Sequence, residues 1–522
     1  MESTALDSTI ASVVAEQAAI RGHRPAVACG DSSVTYRELD GAARSFAAWL
    51  VNRGVAPGDH VAIWLPNGIA WVVAQVAVAH AGAVAVPIST RLTVAEAAFI
   101  VEHARCRLLI AVDQFLGRNY GEEARGIAVR SDGDLAPDLL VLDVDSSDLP
   151  RTDVLRELPG SQPDAAAVVQ YTSGTTGHPK GCVLSHRTWT NNARLSALLA
   201  AISSDDVVFS PSPFFHLFGS LTALMGSLSA GACLVTTPTF RAAAAVEAIV
   251  ATGANHMVAV PTVWLDLMAP GLAPCLSLLQ GGRWGGGPFP RRALEHALAP
   301  AGLGLRLDAI YGMTEAPTLT QGRVEDPPAS RLNTVGRPTP GVDLRIVDPE
   351  SGREAGPGAI GEITMRGYCR MLSYLRDPDA TADRITDGWL QTGDLGMLDP
   401  DGFLHVTGRL TDMLVSGGAN VYAREVEDVI LEMDIVSLAA VVARADARLG
   451  EVPVAWVAID SHDAAGAEAS IVAHCRSRLA PYKLPRAVFV VPELPLTASG
   501  KIHKARLVEM LTERLSNDLP SV

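Results

Sequence analysis

The run Tyr171-Thr172-Ser173-Gly174-Thr175-Thr176-Gly177-His178-Pro179-Lys180-Gly181 packs four aliphatic hydroxyls, three glycines and one lysine into eleven residues. Glycines let successive backbone N–H groups converge on one point, and hydroxyls and an ammonium add further donors. That is the chemistry of a cradle for phosphate oxygens. It departs from the usual P-loop, because Pro179 stands five residues after Gly174 and Lys180 is followed by Gly181 rather than Ser or Thr. A merely solvated loop would have no need of the ammonium at its end.

Lysine is scarce elsewhere. Of 42 basic residues only Lys180, Lys483, Lys501 and Lys504 are lysines, so each marks a candidate position for a compact point charge. Lys501 ends a second polar, glycine-containing turn, Pro495 to Lys501, whereas Lys483 and Lys504 read equally well as leftover surface charges. Four more stretches combine glycines with polar groups: Gly281-Gly282-Arg283-Trp284-Gly285-Gly286-Gly287, Tyr311-Gly312-Met313-Thr314-Glu315, Trp389-Leu390-Gln391-Thr392-Gly393-Asp394, and Gly408-Arg409-Leu410-Thr411-Asp412. They offer close backbone approach, an aromatic face, hydroxyls and acids.

Helix and strand signals alternate around these spots. Thr35-Tyr36-Arg37-Glu38 and Thr93-Val94-Ala95-Glu96 are capping boxes that open helices. Val61–Leu65 reads as a buried strand and Arg107–Val112 as a strand, so the rhythm predicts parallel sheets covered by helices. The uncharged segment Ile69–Ile88 is long enough to cross a bilayer, but Gln75, His80, Gly82 and Pro87 favour a buried helix followed by a strand. After about Arg323 short strands and turns such as Asp399-Pro400-Asp401-Gly402 predict a small antiparallel, barrel-like piece. The expected class is α/β. Residues 1–410 form the large domain, with 324–410 its β-rich subdomain, and 411–522 form a smaller α+β domain.

The net charge of −15 argues against nucleic acid as a partner and requires any anionic ligand to be held by local donors or a metal ion. Seven scattered cysteines without C-x-x-C spacing predict a reducing, cytoplasmic compartment and no structural metal. The acidic, polar start is not that of a signal peptide.

In type and order these motifs, together with Thr334 to Gly341 and Ser416-Gly417-Gly418-Ala419-Asn420, resemble the adenylate-forming superfamily of acyl-CoA synthetases, adenylation enzymes and luciferases. The resemblance runs from Thr35 to Lys501 and implies the following roles. Thr172, Ser173, Gly174, Thr175, Thr176, Gly177 and Lys180 hold the β- and γ-phosphates of ATP. Tyr311, with Gly312 and Met313 beside it, lies against adenine, and Gly285, Gly286 and Gly287 line the other side. Thr314 touches the α-phosphate, and Glu315 with Thr172 binds Mg2+. Asp394 accepts from the ribose hydroxyls near Arg409. His216 stands where the carboxylate and later the thiol arrive. Lys501, on a C-terminal domain that moves about a hinge at Asp412, bridges carboxylate and α-phosphate, and Gly417 and Gly418 border a pantetheine tunnel. Two positions depart from the pattern: Ala423 where many relatives have proline, and Ala309 where Asn or Gln often meets adenine.

The resemblance makes the chain an acid–CoA ligase with ATP, Mg2+ and CoA and no membrane partner. The alternatives are a stand-alone adenylation enzyme that loads an acyl carrier protein, or a variant activating another acid such as nitrite for an amine. The acid pocket would draw on Phe214 to Gly219, Val260 to Trp264 and the Trp284 loop. With Phe218 and Trp284 as its large elements, it predicts an aromatic or medium-sized apolar acid. Arg283 either faces a polar group or lies on the surface.

Overall fold

The computed structural model describes residues 7–130, 136–143, 149–152, 158–172, 179–356, 358–417, 419–446, 448–459, 466–496 and 502–517. Both capping boxes form. The Thr35 and Thr93 hydroxyls accept from the backbone N–H of Glu38 and Glu96, each glutamate reaches back, and the helices Tyr36–Asn52 and Val94–Ala104 follow. The uncharged segment becomes the helix Ile69–His80 and the strand Val84–Pro87. Eleven of that helix's twelve residues are buried, as expected for a helix apolar on every face. No helix among the described residues is long and apolar enough to cross a membrane.

The chain divides into two compact units. The first comprises Met1–Pro288, Ala297–Leu344 and Met365–Leu390. It holds a seven-stranded sheet in the order Ser373–Tyr374, Lys180–Ser185, Ala166–Thr172, Val84–Pro87, His60–Trp64, Leu108–Val112, Asp138–Leu142. The strands from Ala166–Thr172 to Asp138–Leu142 run parallel. Apolar runs such as Leu108–Val112, buried at every position, suit a parallel sheet covered on both faces. A nine-stranded sheet is parallel through Leu307–Met313, Gly281–Gly285, His256–Val258, Val207–Phe209, Cys233–Thr236 and Pro25–Cys29. Its antiparallel margins are Ala316–Gln321 with Arg337–Pro338, and Ser32–Thr35.

The second unit comprises Phe289–His296, Arg345–Thr364 and Gln391–Val522. The small β piece expected after Arg323 is a five-stranded sheet that includes the antiparallel pair Trp389–Leu398 and Leu404–Arg409. A further sheet pairs Val436–Asp446 with Gly450–Ile459, to which Ala487–Val491 adds in parallel. Side chains alternate across these strands. Val441, Ala455 and Val457 pack in one cluster with the helices Ala423–Ile430 and Ala467–Arg476. Val442, Val454 and Trp456 pack in another with Leu507 and Leu511 of the helix Lys504–Asn517. The unit therefore has its own two-sided core.

Candidate active site

Thr172 and Lys180 stand directly opposite each other where the strands Ala166–Thr172 and Lys180–Ser185 pair. The Thr172 hydroxyl donates to the Lys180 carbonyl at 3.5 Å. The hydroxyl-rich loop thus springs from a closed antiparallel pair. Ser173, Gly174, Thr175, Thr176 and Gly177 themselves lie outside the described residues. The Lys180 ammonium stands 5.2 Å from the centre of the Tyr374 ring and 3.9 Å from the Asp377 carboxylate.

Tyr374 ties this corner to Glu315. Its hydroxyl donates to Glu315 Oε1 at 2.7 Å and accepts from Arg384 Nε at 3.4 Å. Burial and the neighbouring Glu315 carboxylate raise the phenol's pKa, so it stays protonated and remains a donor. Glu315 is buried, and its carbonyl accepts from the Met371 N–H at 2.7 Å. It follows Thr314 in the reversal between Leu307–Met313 and Ala316–Gln321. Tyr311, Gly312 and Met313 end the first of these strands. Gly312 is required there, because a Cβ would lie 2.0 Å from the Pro317 carbonyl oxygen.

His216 sits in the loop before a π-helical segment, Phe218–Met225, a form often found at functional sites. Buried amides fix that loop. Asn67 donates to the Ser212 carbonyl at 2.9 Å and accepts from the Phe214 N–H at 2.7 Å. Gln170 donates to the Phe215 carbonyl at 2.8 Å. Since Gln170 lies two residues before Thr172 on one strand, the loop carrying His216 is anchored to the strand that launches the hydroxyl run. Gly285 closes the strand Gly281–Gly285, and a Cβ on it would meet the Ile310 carbonyl oxygen at 2.8 Å and Phe218 at 3.1 Å. Gly286 follows at φ 81°, with Gly287 next.

In the second unit Asp394 and Arg409 are cross-strand partners joined at 3.2 Å. The Asp394 backbone N–H donates to the Thr392 hydroxyl at 3.0 Å, and that hydroxyl donates to the Ile363 carbonyl at 2.7 Å. Gly417, at φ 61°, turns the chain between Met413–Ser416 and Ala419–Tyr422. Gly418 and Lys501 lie outside the described residues.

Residues 14–375 match the family described as AMP-binding enzyme, and residues 425–501 match its C-terminal domain. The chain belongs to the AMP-binding enzyme family. It is 33% identical to a putative acyl-CoA synthetase, YngI, of Bacillus subtilis, over 97% of this chain and 98% of that protein. It is 36% identical to the 3-[(3aS,4S,7aS)-7a-methyl-1,5-dioxo-octahydro-1H-inden-4-yl]propanoyl:CoA ligase of Rhodococcus jostii, over 94% and 96% of the two chains. Among solved structures it is similar to o-succinylbenzoate CoA synthetase (MenE) from Bacillus subtilis in complex with its acyl-adenylate, at a TM-score of 0.83 and 30% identity, covering 96% and 98%. This AMP-binding enzyme is of the adenylate-forming, acyl-CoA synthetase type.

Several of the enzyme's residues sit differently from their expectation. Lys483 and Lys504 are not leftover charges. Lys483 bonds both Glu425 carboxylate oxygens, at 2.6 and 2.7 Å, and Lys504 lies between Asp412 at 2.8 Å and Glu427 at 2.9 Å. Arg283 is not on the surface: it is 2% exposed. Trp284 does not share a face with Phe218. Side chains alternate along a strand, so Arg283 and Gly285 share the Phe218 face, while Trp284 goes with Gly282, whose Cβ would touch Trp264. Tyr374 was missed by the motifs. Its only sequence signal is the Asp377-Pro378 helix start three residues later, where Asp377 caps the helix Pro378–Arg384.

Proposed function

We propose that this enzyme is an ATP- and Mg2+-dependent acid–CoA ligase. A carboxylate oxygen of the acid attacks the α-phosphorus of ATP, pyrophosphate leaves, and the acyl-adenylate then yields its acyl group to the CoA thiol. The observation that carries this reading is the junction at Tyr374. It gives the Lys180 ammonium and the Glu315 carboxylate one shared anchor beside the root of the hydroxyl loop.

In this reading Lys180 and the loop Thr172–Gly177 grip the β- and γ-phosphates, with Thr314 at the α-phosphate. Tyr311 and Gly285–Gly287 enclose adenine, and Asp394 takes the ribose hydroxyls with Arg409 beside it. Glu315 and Thr172 would hold Mg2+. Among the described residues no three His, Cys, Asp or Glu side chains cluster as a closed metal site, and one buried carboxylate plus a hydroxyl suits an ion that takes its other ligands from phosphate and water. Such an ion neutralises charge on the phosphates. Lys501 donates to the developing charge between carboxylate and α-phosphate, and His216 guides the acid and then the thiol. The segment 411–522 would be the mobile part, hinged at Asp412, with Gly417 and Gly418 along the pantetheine path.

The acid proposed is aromatic or a medium-sized apolar molecule. The acids named for the Rhodococcus jostii ligase and for MenE are both built on rings, and Phe214 and Phe218 flank the His216 loop here. All seven cysteines are unpaired, which supports a cytoplasmic setting. Mass spectrometry of the products with CoA, with a carrier protein, or with neither tests the acceptor. An acyl-CoA only when CoA is present is the expected result, and transfer only to a carrier thiol or an amine would contradict it.

A further inference from the structure

The face of the Gly281–Gly285 strand that meets Phe218 carries a charge at its inner end. Arg283 donates through Nη1 to the Ser196 hydroxyl at 2.7 Å. Gln321 donates to the Ser196 carbonyl at 3.0 Å, so both side chains converge on one residue of the helix His186–Leu199. Asn192 lies one turn earlier on that helix. Arg283 Nη2, Gln321 Oε1 and Asn192 Oδ1 are all buried without a hydrogen-bond partner among the described residues. Of these atoms Arg283 Nη2 is a donor and the two amide oxygens are acceptors. An orphaned buried group costs on the order of 1–3 kcal/mol, more when charged, so the Arg283 donor is the costliest to leave unpaired. Asp308 is Arg283's register partner on the next strand, yet it forms an ion pair with Arg331 at 3.6 Å. Burial brings the Arg283 pKa down to about 10, so the guanidinium stays charged at neutral pH. The result is a fixed cation with a spare donor, set two residues, roughly 7 Å, inward of Gly285 on the same face.

We propose that Arg283 closes the far end of the acid pocket and selects acids that carry an oxygen acceptor, a ketone or a second carboxylate, remote from the carboxyl group being activated. This rests on the acid–ligase reading and refines its substrate: an apolar body along Phe218, with a polar tip that completes the Arg283 hydrogen bonds. Arg283 acts on specificity and takes no part in bond making.

The test uses the full-length protein and pyrophosphate exchange with three acids of matched length: one ending in methyl, one bearing a distal ketone, and one ending in carboxylate. Wild type should favour at least one acceptor-bearing acid over the methyl acid by about 100-fold or more in kcat/KM, because the plain acid leaves the buried Arg283 donor unpaired. Arg283→Met should erase or reverse that preference with the KM for ATP unchanged, and Arg283→Lys should keep part of it. Should Arg283→Met fail to fold, as judged by thermal melting, the wild-type acid series and Arg283→Lys still decide. Equal use of all three acids by wild type, or an Arg283→Met enzyme that keeps the preference or loses activity equally for all acids, would overturn the proposal. No exchange with any acid would be a different result, because it would remove the ligase reading itself.

Discussion

At the scale of single residues the site depends on where protons and charges are held. Tyr374 gives Glu315 its hydrogen bond at 2.7 Å and offers its ring to Lys180. Tyr374→Phe keeps the ring and removes the hydroxyl, leaving a buried carboxylate oxygen without its donor. Losing one bond to a charged group costs about 1.5–3 kcal/mol. We expect adenylate formation to fall about ten-fold or more, with the Mg2+ dependence displaced. A Mg2+ titration of initial rates checks this, and an unchanged titration curve would show that Tyr374 does not position Glu315. Lys501→Ala should cut adenylate formation by about 10²–10³-fold, the scale of one transition-state donor, and spare thioester formation from supplied acyl-adenylate. Equal losses in both half-reactions would contradict a role confined to the first.

At the scale of elements, local signals were legible and long-range ones were not. Thr35 with Glu38 and Thr93 with Glu96 could be read because a capping box is complete within four residues. The buried helix Ile69–His80 was legible from an equally local signal, an uncharged apolar run broken by Gly82 and Pro87. The burial of Arg283 and the side taken by Trp284 depend on strand register against Leu307–Met313 and on a helix 87 residues away, and no local pattern encodes either. Tyr374 meets Glu315 across 59 residues and was hidden likewise. One such long-range joint titrates. His186, at the start of the helix His186–Leu199, is fully buried and accepts at Nδ1 from the Ile10 N–H, an otherwise orphaned donor of the helix Ile10–Arg21. Burial lowers its pKa to about 4, against about 6.5 in an unfolded chain. Between those values the unfolded state holds the proton and the native state does not, so stability is lost as pH falls through that window and is constant above it. From pH 6.5 to 5.0 the loss is on the order of 1–2 kcal/mol. Denaturant unfolding should show it in wild type and show it diminished in His186→Asn, which accepts without titrating. An identical pH profile in both would rule out His186 as the source.

At the scale of the molecule, two units each own a hydrophobic core, and each carries some of the candidate residues. Thr172, Lys180, His216, Tyr311 and Glu315 belong to the first, and Asp394, Arg409 and Asp412 to the second. Asp412 is held by Lys504, so the residue proposed as hinge is engaged in an ion pair. A chain of net charge −15 must hold an anionic ligand with local donors or a metal ion, which gives the few lysines their weight. The central claim is that ATP is bound here and its α-phosphorus is attacked by a carboxylic acid. Exchange of labelled pyrophosphate into ATP by the purified protein, with Mg2+ and a broad set of acids, measures that step directly. Acid-dependent exchange that stops when Mg2+ is chelated is the predicted result, and no exchange with any acid would contradict the account.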